Sequence, residues 1–245
     1  MKKILIIGDS CRDVYTYCNV KRLSPEKPVP VLEVDHVDSM PGMAMNVYRN
    51  VVSMIPERMV DIVTNENWND ITKERLVDVK SNHMFCRVDT PLETERVDVF
   101  NIDYNNYEYI IISDYDKGFV EWDDIEYICN HHKKVFLDSK KRLGGWAWDA
   151  LYIKINNYEA ERSAPVVDEL EDKVIQTLGA DGVLFREKIY RVEDVVETLD
   201  VSGAGDTFLA ALVVRYSQNR NIENAIRHAN KQASKVVSKR GTSTP

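Results

Sequence analysis

Residues 200–207 read DVSGAGDT and lead directly into a stretch, 204–216, with the pattern of a helix. Gly203 and Gly205 would let the backbone approach a ligand closely. A helix start offers amide groups without intrahelical partners and the positive end of the helix dipole, which suits a phosphate or a developing anion. Asp206 falls in the first turn, placed to accept a proton from a hydroxyl that attacks a phosphate. Phosphoryl transfer asks mainly for positioning, charge stabilisation and a base that orients the nucleophile. The same octapeptide also reads as an ordinary helix start, with glycine for the turn and Asp for the dipole. No GxxxxGK[ST] stretch is present, and the GxG lacks the third glycine and the first-strand position of a dinucleotide fingerprint.

The elements that must position these residues follow from apolar patterning. Residues 4–7, 60–63, 109–112, 135–137, 151–155 and 174–178 read as strands, and 43–55, 120–129, 204–216 and 222–237 as helices. In the last helix Ile222, Ala225, Ile226, Ala229, Ala233, Val236 and Val237 fall near one face. Alternating strands and helices predict a mostly parallel sheet covered on both faces. Ligands of such sheets bind beyond the carboxyl ends of the strands. Asp9, Asp114, Asp138, Asn156 and Thr177 fall at those ends. Residues 28–34, 74–79 and 83–88 break the rhythm, and predict a small antiparallel sheet beside the main one, a lid over the site.

The chain has 245 residues and a net charge of −8, with 44% hydrophobic and 29% charged residues. That balance argues against a nucleic-acid surface, which needs a basic face. In MKKILIIGDS the apolar run spans only residues 4–7, too short for a signal peptide, and no stretch has the length of a membrane span. Cys11, Cys18, Cys86 and Cys129 lack the spacing of a zinc site and read as reduced thiols of a cytoplasmic protein. The His131–His132 pair reads as a solvated helix end.

DVSGAGDTFLAAL resembles the C-terminal signature of the ribokinase-like, or phosphofructokinase-B, carbohydrate kinases. Asn156 to Glu159 (NNYE) is similar to that family's NxxE motif, and Thr177 to Gly182 (TLGADG) to its TxGxxG segment. Asn46, in PGMAMN, matches the sugar-binding Asn of the N-terminal signature. Within the family the chain resembles the D-glycero-β-D-manno-heptose 7-phosphate kinases. GDSCRDVYTY, LSPEKPVPVLEV, the stretch TKERLVDVKSNHMFCRVDT, SDYDKG, LDSKK and KRGTST carry that likeness from Ile4 to Thr244.

The resemblance implies a single ribokinase-like kinase domain over 1–245, with lid segments near 12–36 and 72–90. Its fold would be an α/β three-layer sandwich with a mostly parallel sheet and a small antiparallel β lid. It implies ATP and Mg2+, with Gly203, Ala204 and Gly205 forming an anion hole and Asp206 as catalytic base. Glu159 would help organise the magnesium and its waters, and Asn156, Thr177, Gly179 and Gly182 would contact the nucleotide. Asp13, Asn46, Lys117 and Asp138 become candidates for sugar or sugar-phosphate contacts. For Lys117 and Lys140 the alternative is plain surface solvation, and for Arg87 and Asp89 a strand-surface ion pair. The resemblance also allows a homodimer through the lid. Heptose kinases are often fused to a nucleotidyltransferase domain; this sequence shows none up to Pro245, so a second activity is expected from a separate protein.

The sequence departs from the family twice. Gly42-Met43 stands where two adjacent glycines are usual, and a Met there restricts the backbone and adds bulk beside the substrate. The stretch between Asn46 and Asp114 lacks a glycine-rich GxDxxG segment and is expected to be abbreviated by one α/β unit. The expected function is phosphoryl transfer to a sugar-phosphate hydroxyl, giving a heptose 1,7-bisphosphate if the likeness holds. The rival readings are a catalytically weak sugar- and nucleotide-binding regulatory protein, and a kinase for another sugar.

Overall fold

A computed structural model describes residues 2–91, 94–192, 200–238, 241 and 243–245. Chain order begins with β1 (Lys3–Gly8), β2 (Ser10–Leu23), β3 (Pro30–Met43), α1 (Ala44–Met54), β4 (Val60–Val63), β5 (Thr72–Asp78), β6 (Met84–Asp89) and β7 (Tyr107–Asp114). It continues with α2 (Trp122–His131), β8 (Val135–Ser139), β9 (Tyr152–Asn156), α3 (Asn157–Arg162), α4 (Ala164–Glu169) and β10 (Val174–Thr177). β11 (Val183–Phe185), β12 (Lys188–Tyr190), α5 (Ala204–Asn219) and α6 (Ile222–Val237) complete it.

The main sheet has the order β12-β11-β10-β9-β8-β7-β1-β4. From β10 to β4 every pairing is parallel, and β11 and β12 add an antiparallel edge. The period of two along each strand sorts its side chains between two cores. Ile4, Ile6, Tyr109, Ile111 and Phe136 pack with α1, α5 and α6 on one face. Leu5, Ile7, Ile110, Ile112 and Leu137 pack with α2, α3 and α4 on the other. This is the expected three-layer arrangement. Buried on both faces, the central strands read as continuous apolar runs. α5 is covered from Asp206 to Val214, so its N-terminus reaches the strand ends from inside the protein. Among the described residues no helix is long and apolar enough to cross a membrane.

The second sheet has the order β3-β2-β5-β6. β2 pairs antiparallel with β3, and β5 with β6, but β2 pairs parallel with β5. The expectation of an antiparallel lid is therefore corrected: the lid is mixed. The reason is topological, because the chain passes through α1 and β4 between β2 and β5, and such a crossover permits parallel pairing. The lid strands also reach further than expected, over residues 10–43. Residues 64–71, between β4 and β5, contain no helix, and β4 is an edge of the main sheet. That is the abbreviation expected from the sequence. Of the KRGTST stretch, Lys239, Arg240 and Thr242 lie outside the described residues.

Candidate active site

Asp206 lies in the first turn of α5, buried at the carboxyl ends of the parallel strands. Gly203 is the N-cap in the left-handed region, φ 76°, where a side chain would be strained. No side chain caps this helix, but Ala204 N donates to Val201 O at 3.2 Å, which leaves the Gly203 and Gly205 amides of the expected anion hole for a ligand or water. Asn46 Nδ2 donates to Asp206 Oδ2 at 2.9 Å, and Tyr115 Oη donates to Oδ1 at 2.7 Å. Asn50 donates to Asn46 and accepts from Thr207 Oγ1 at 2.9 Å, which ties α1 to α5. Burial pushes the Asp206 carboxyl above its ordinary range; Asn46 and Tyr115 oppose that shift, and the Asp138 charge adds to it.

Beneath the glycine loop lies a buried ion pair. Lys154 Nζ donates to Asp138 Oδ2 at 2.8 Å, with side-chain exposures of 5% and 3%. A Cβ on Gly205 would stand 3.1 Å from Lys154 Nζ, so the ammonium packs directly against the loop. Lys140 Nζ is 3.6 Å from Asp138 Oδ1 and bonds Glu159 Oε1. Burial alone would raise the Asp138 pKa, yet Lys140 and Lys154 hold it below its ordinary value. Lys140 is thus an ion-paired residue of the site, and surface solvation does not describe it. Asn156 and Glu159 close a reciprocal capping box at the start of α3, with Glu159 N donating to Asn156 Oδ1 at 2.9 Å.

Among the described residues no three His, Cys, Asp or Glu side chains form a metal-holding group. Mg2+ asks for less, since one or two carboxylates usually suffice beside waters and substrate phosphates. Glu159 meets that demand only through waters, because its Oε1 accepts from Lys140 Nζ and Asn156 Nδ2 and its Oε2 from Asn156 N.

Thr177 ends β10 and its Oγ1 donates to Ile155 O at 3.2 Å. Gly179 has φ 62° and open space where a side chain would point. Gly182 has φ 100°, and a Cβ there would meet Tyr190 O at 2.1 Å, so hairpin packing alone already demands glycine.

On the lid, Asp13 Oδ1 pairs with Arg75 Nη1 at 2.6 Å, both largely buried. A Cβ on Gly42 would fall 2.2 Å from Asp13 Oδ2. Met43 takes φ 60° and ψ −132°, which ordinarily costs a non-glycine residue about 1–3 kcal/mol. The strain is offset by burial against Cys11, Ile71 and Tyr115, and by Lys73 Nζ on its Sδ at 3.2 Å. Arg87 and Asp89 pair on the exposed lid surface, as the bland reading expected. Lys117 stands exposed on the turn after β7 and bonds none of the other candidates. The structure therefore joins Asp206, Asn46, Asp138, Gly205 and Glu159 through shared contacts, and leaves Lys117 outside that network.

The turn that carries Tyr115 is pinned by Asp9. Its Oδ2 accepts from Tyr115 N at 2.7 Å and its Oδ1 from Phe119 N at 3.3 Å. Burial, then the Asp114 charge, pushes the Asp9 pKa up to about 6. A carboxyl raised on folding takes up a proton in the folded state first, so its stabilising contribution is complete at low pH and is lost as pH rises through about 6. The stability difference between wild type and Asp9→Asn is expected to fall by about 2 kcal/mol between pH 4 and 6. Urea unfolding across that range checks it, and a constant difference contradicts it.

Residues 150–245 match the pfkB family carbohydrate kinase. That match spans under half of the chain. The chain is 28% identical over 296 aligned positions to the bifunctional protein HldE of Helicobacter pylori strain ATCC 700392 / 26695. The match covers 99% of this chain and 64% of that relative, so the chain spans under two thirds of the relative's length. The alignment is longer than the whole 245-residue chain, so the relative carries residues that this one lacks. Among solved structures, the ribokinase of Thermotoga maritima superposes with a TM-score of 0.72 at 16% identity, covering 99% of this chain and 95% of that one. The Arabidopsis thaliana ribokinase complexed with ribose and ATP gives 0.69 at 14% identity, covering 98% and 94%. These likenesses show the ribokinase-like fold.

Two members of the candidate site escaped the sequence-based assignment. Tyr115 sits inside the quoted SDYDKG stretch without a role. Lys154 interrupts the apolar run of β9, and a lysine in a buried strand is itself a signal, because such charges are rarely buried unpaired.

Proposed function

We propose that this chain is an ATP-dependent sugar kinase whose acceptor is a sugar-phosphate hydroxyl, the anomeric hydroxyl of a heptose 7-phosphate. The observation that carries this reading is Asp206, a buried carboxylate in the first turn of an uncapped helix, held by one donor on each oxygen. Asp206 takes the proton as the sugar oxygen attacks the γ-phosphate. The amides of Gly203 and Gly205 receive the transferring phosphoryl group, and the Lys154 ammonium lies under the loop. Asn156, Thr177, Gly179 and Gly182 line the nucleotide side. Glu159 would hold Mg2+ through its waters; the ion supplies charge neutralisation to the phosphates.

Asn46, Asp13 and Asp138 hold the sugar, and Lys117 reaches a sugar phosphate only if its turn moves. The lid closes over the acceptor within one kinase domain spanning 1–245. The exposed Val34, Val37, Met84 and Val88 on the outer strands β3 and β6 support a homodimer through the lid. A cytoplasmic setting suits the reduced cysteines.

Gly42→Ala is expected to displace Asp13 from Arg75, raising KM for the sugar about tenfold with KM for ATP unchanged; equal shifts in both would count against Asp13 as a sugar contact. The acceptor itself is tested by 31P NMR of the product formed from magnesium-ATP and heptose 7-phosphate. A new anomeric phosphate is expected. Phosphorylation at another position, or only of another sugar, removes the heptose assignment. The strained Met43 at the substrate edge favours one rival, a catalytically weak sugar- and nucleotide-binding protein, for which ligand binding without product is the signature.

A further inference from the structure

The loop after β7 holds a tyrosine that the kinase reading does not itself require. Asp9 accepts the amides of Tyr115 and Phe119. Asp114, next in sequence, accepts from Asp116 N and Ser139 Oγ and pairs with Lys141. Two buried carboxylates therefore fix the backbone on either side of the Tyr115 Cα. From that base the ring packs on the Cys11, Met43 and Ile71 cluster. The ammonium groups of Lys73 and Lys140 stand 5.1 Å and 5.4 Å from its centroid. Its hydroxyl reaches Asp206 Oδ1 at 2.7 Å.

We propose that Tyr115 is a positioning residue for Asp206: its hydroxyl and the Asn46 amide grip opposite oxygens of the carboxylate and fix its plane. The inference rests on the reading of Asp206 as base. A carboxylate oxygen has about two acceptor sites, so one donor on each leaves room for a sugar hydroxyl. The phenol is held protonated by burial and by the Asp206 and Asp138 charges, and so donates to the carboxylate. Asp206 needs that support. It faces Asn46 from α1, Asp138 from β8, Lys140 just beyond β8, Lys154 from β9 and Cys11 from the lid. Of these, Asp138 and the surrounding burial favour its protonated form.

Tyr115→Phe keeps the ring and removes the donor. With saturating sugar, kcat is expected to fall about 10- to 100-fold, and the acid limb of the pH–kcat profile to move up by about one unit. KM for ATP stays unchanged. A second readout does not need turnover: infrared titration of the Asp206 carboxylate, identified by its absence in Asp206→Asn, should show its pKa higher in Tyr115→Phe than in wild type. Unchanged kcat and acid limb in an active protein overturn the proposal. An Asp206 titration that does not move overturns it equally in a protein that turns over no sugar, a result that would by itself sink only the kinase reading.

Discussion

Asp206→Asn is expected to lower kcat about 10²- to 10⁴-fold, with little change in affinity for nucleotide or sugar. The substitution keeps volume and planarity, so α5 and its uncapped first turn stay in place. What is lost is the group that takes the hydroxyl proton. An amide also presents an NH2 where one of two donors now points, Asn46 Nδ2 or Tyr115 Oη. Tyr115 can rotate its hydroxyl to accept, so the fold absorbs the change more easily than the chemistry does. Steady-state kinetics with both substrates varied separates the two effects, because a proportional fall in kcat and kcat/KM reports an interaction made only in the transition state. A loss confined to KM would mean that Asp206 only binds sugar.

Lys154→Met is expected to destabilise the protein by about 3–5 kcal/mol, the usual consequence of leaving one partner of a buried ion pair alone. Asp138 would keep only Lys140, whose ammonium is 3.6 Å away and shared with Glu159. Stripped of Lys154, the Asp138 carboxyl must rise from its lowered position toward the value that burial dictates. The cost is then largest near neutral pH and shrinks as pH falls through the new Asp138 pKa, where the group protonates. Urea midpoints at pH 7 and pH 5 test both the size and the sign. The double variant Lys154→Met with Asp138→Leu should recover most of the loss, since replacing a whole buried pair by apolar groups is often neutral. No recovery would mean that the single variant fails by packing, through the gap left under Gly205.

The layered sheet was legible because β1, β7 and β8 are buried on both faces and carry unbroken apolar runs. The lid was harder to read. β2 mixes Arg12, Asp13, Asn19 and Lys21 with its β-forming residues, and it becomes a 14-residue strand only because β3 and β5 pair along its two sides. Its parallel partner β5 lies beyond α1 and β4, a crossover that no local pattern announces. The short β11 and β12 gave no periodic signal over three residues each. In the site, Asp206 and Asp138 stood out as carboxylates at a helix start and a strand end. Asn46 came only through the family likeness, and its contact across 160 positions is a product of the fold. Tyr115 was hidden by its type, since an aromatic residue after an apolar strand reads as core. Lys117 errs the other way: its motif draws attention, while the turn that bears it points the side chain to solvent.

The central claim is tested most directly by initial-rate ADP release from the purified protein with magnesium-ATP over a panel of free and phosphorylated sugars, with Asp206→Asn measured beside it. The expected result is release that depends on one phosphorylated sugar and disappears in the variant. Nucleotide binding with no sugar-dependent release, or release that survives Asp206→Asn, would contradict it.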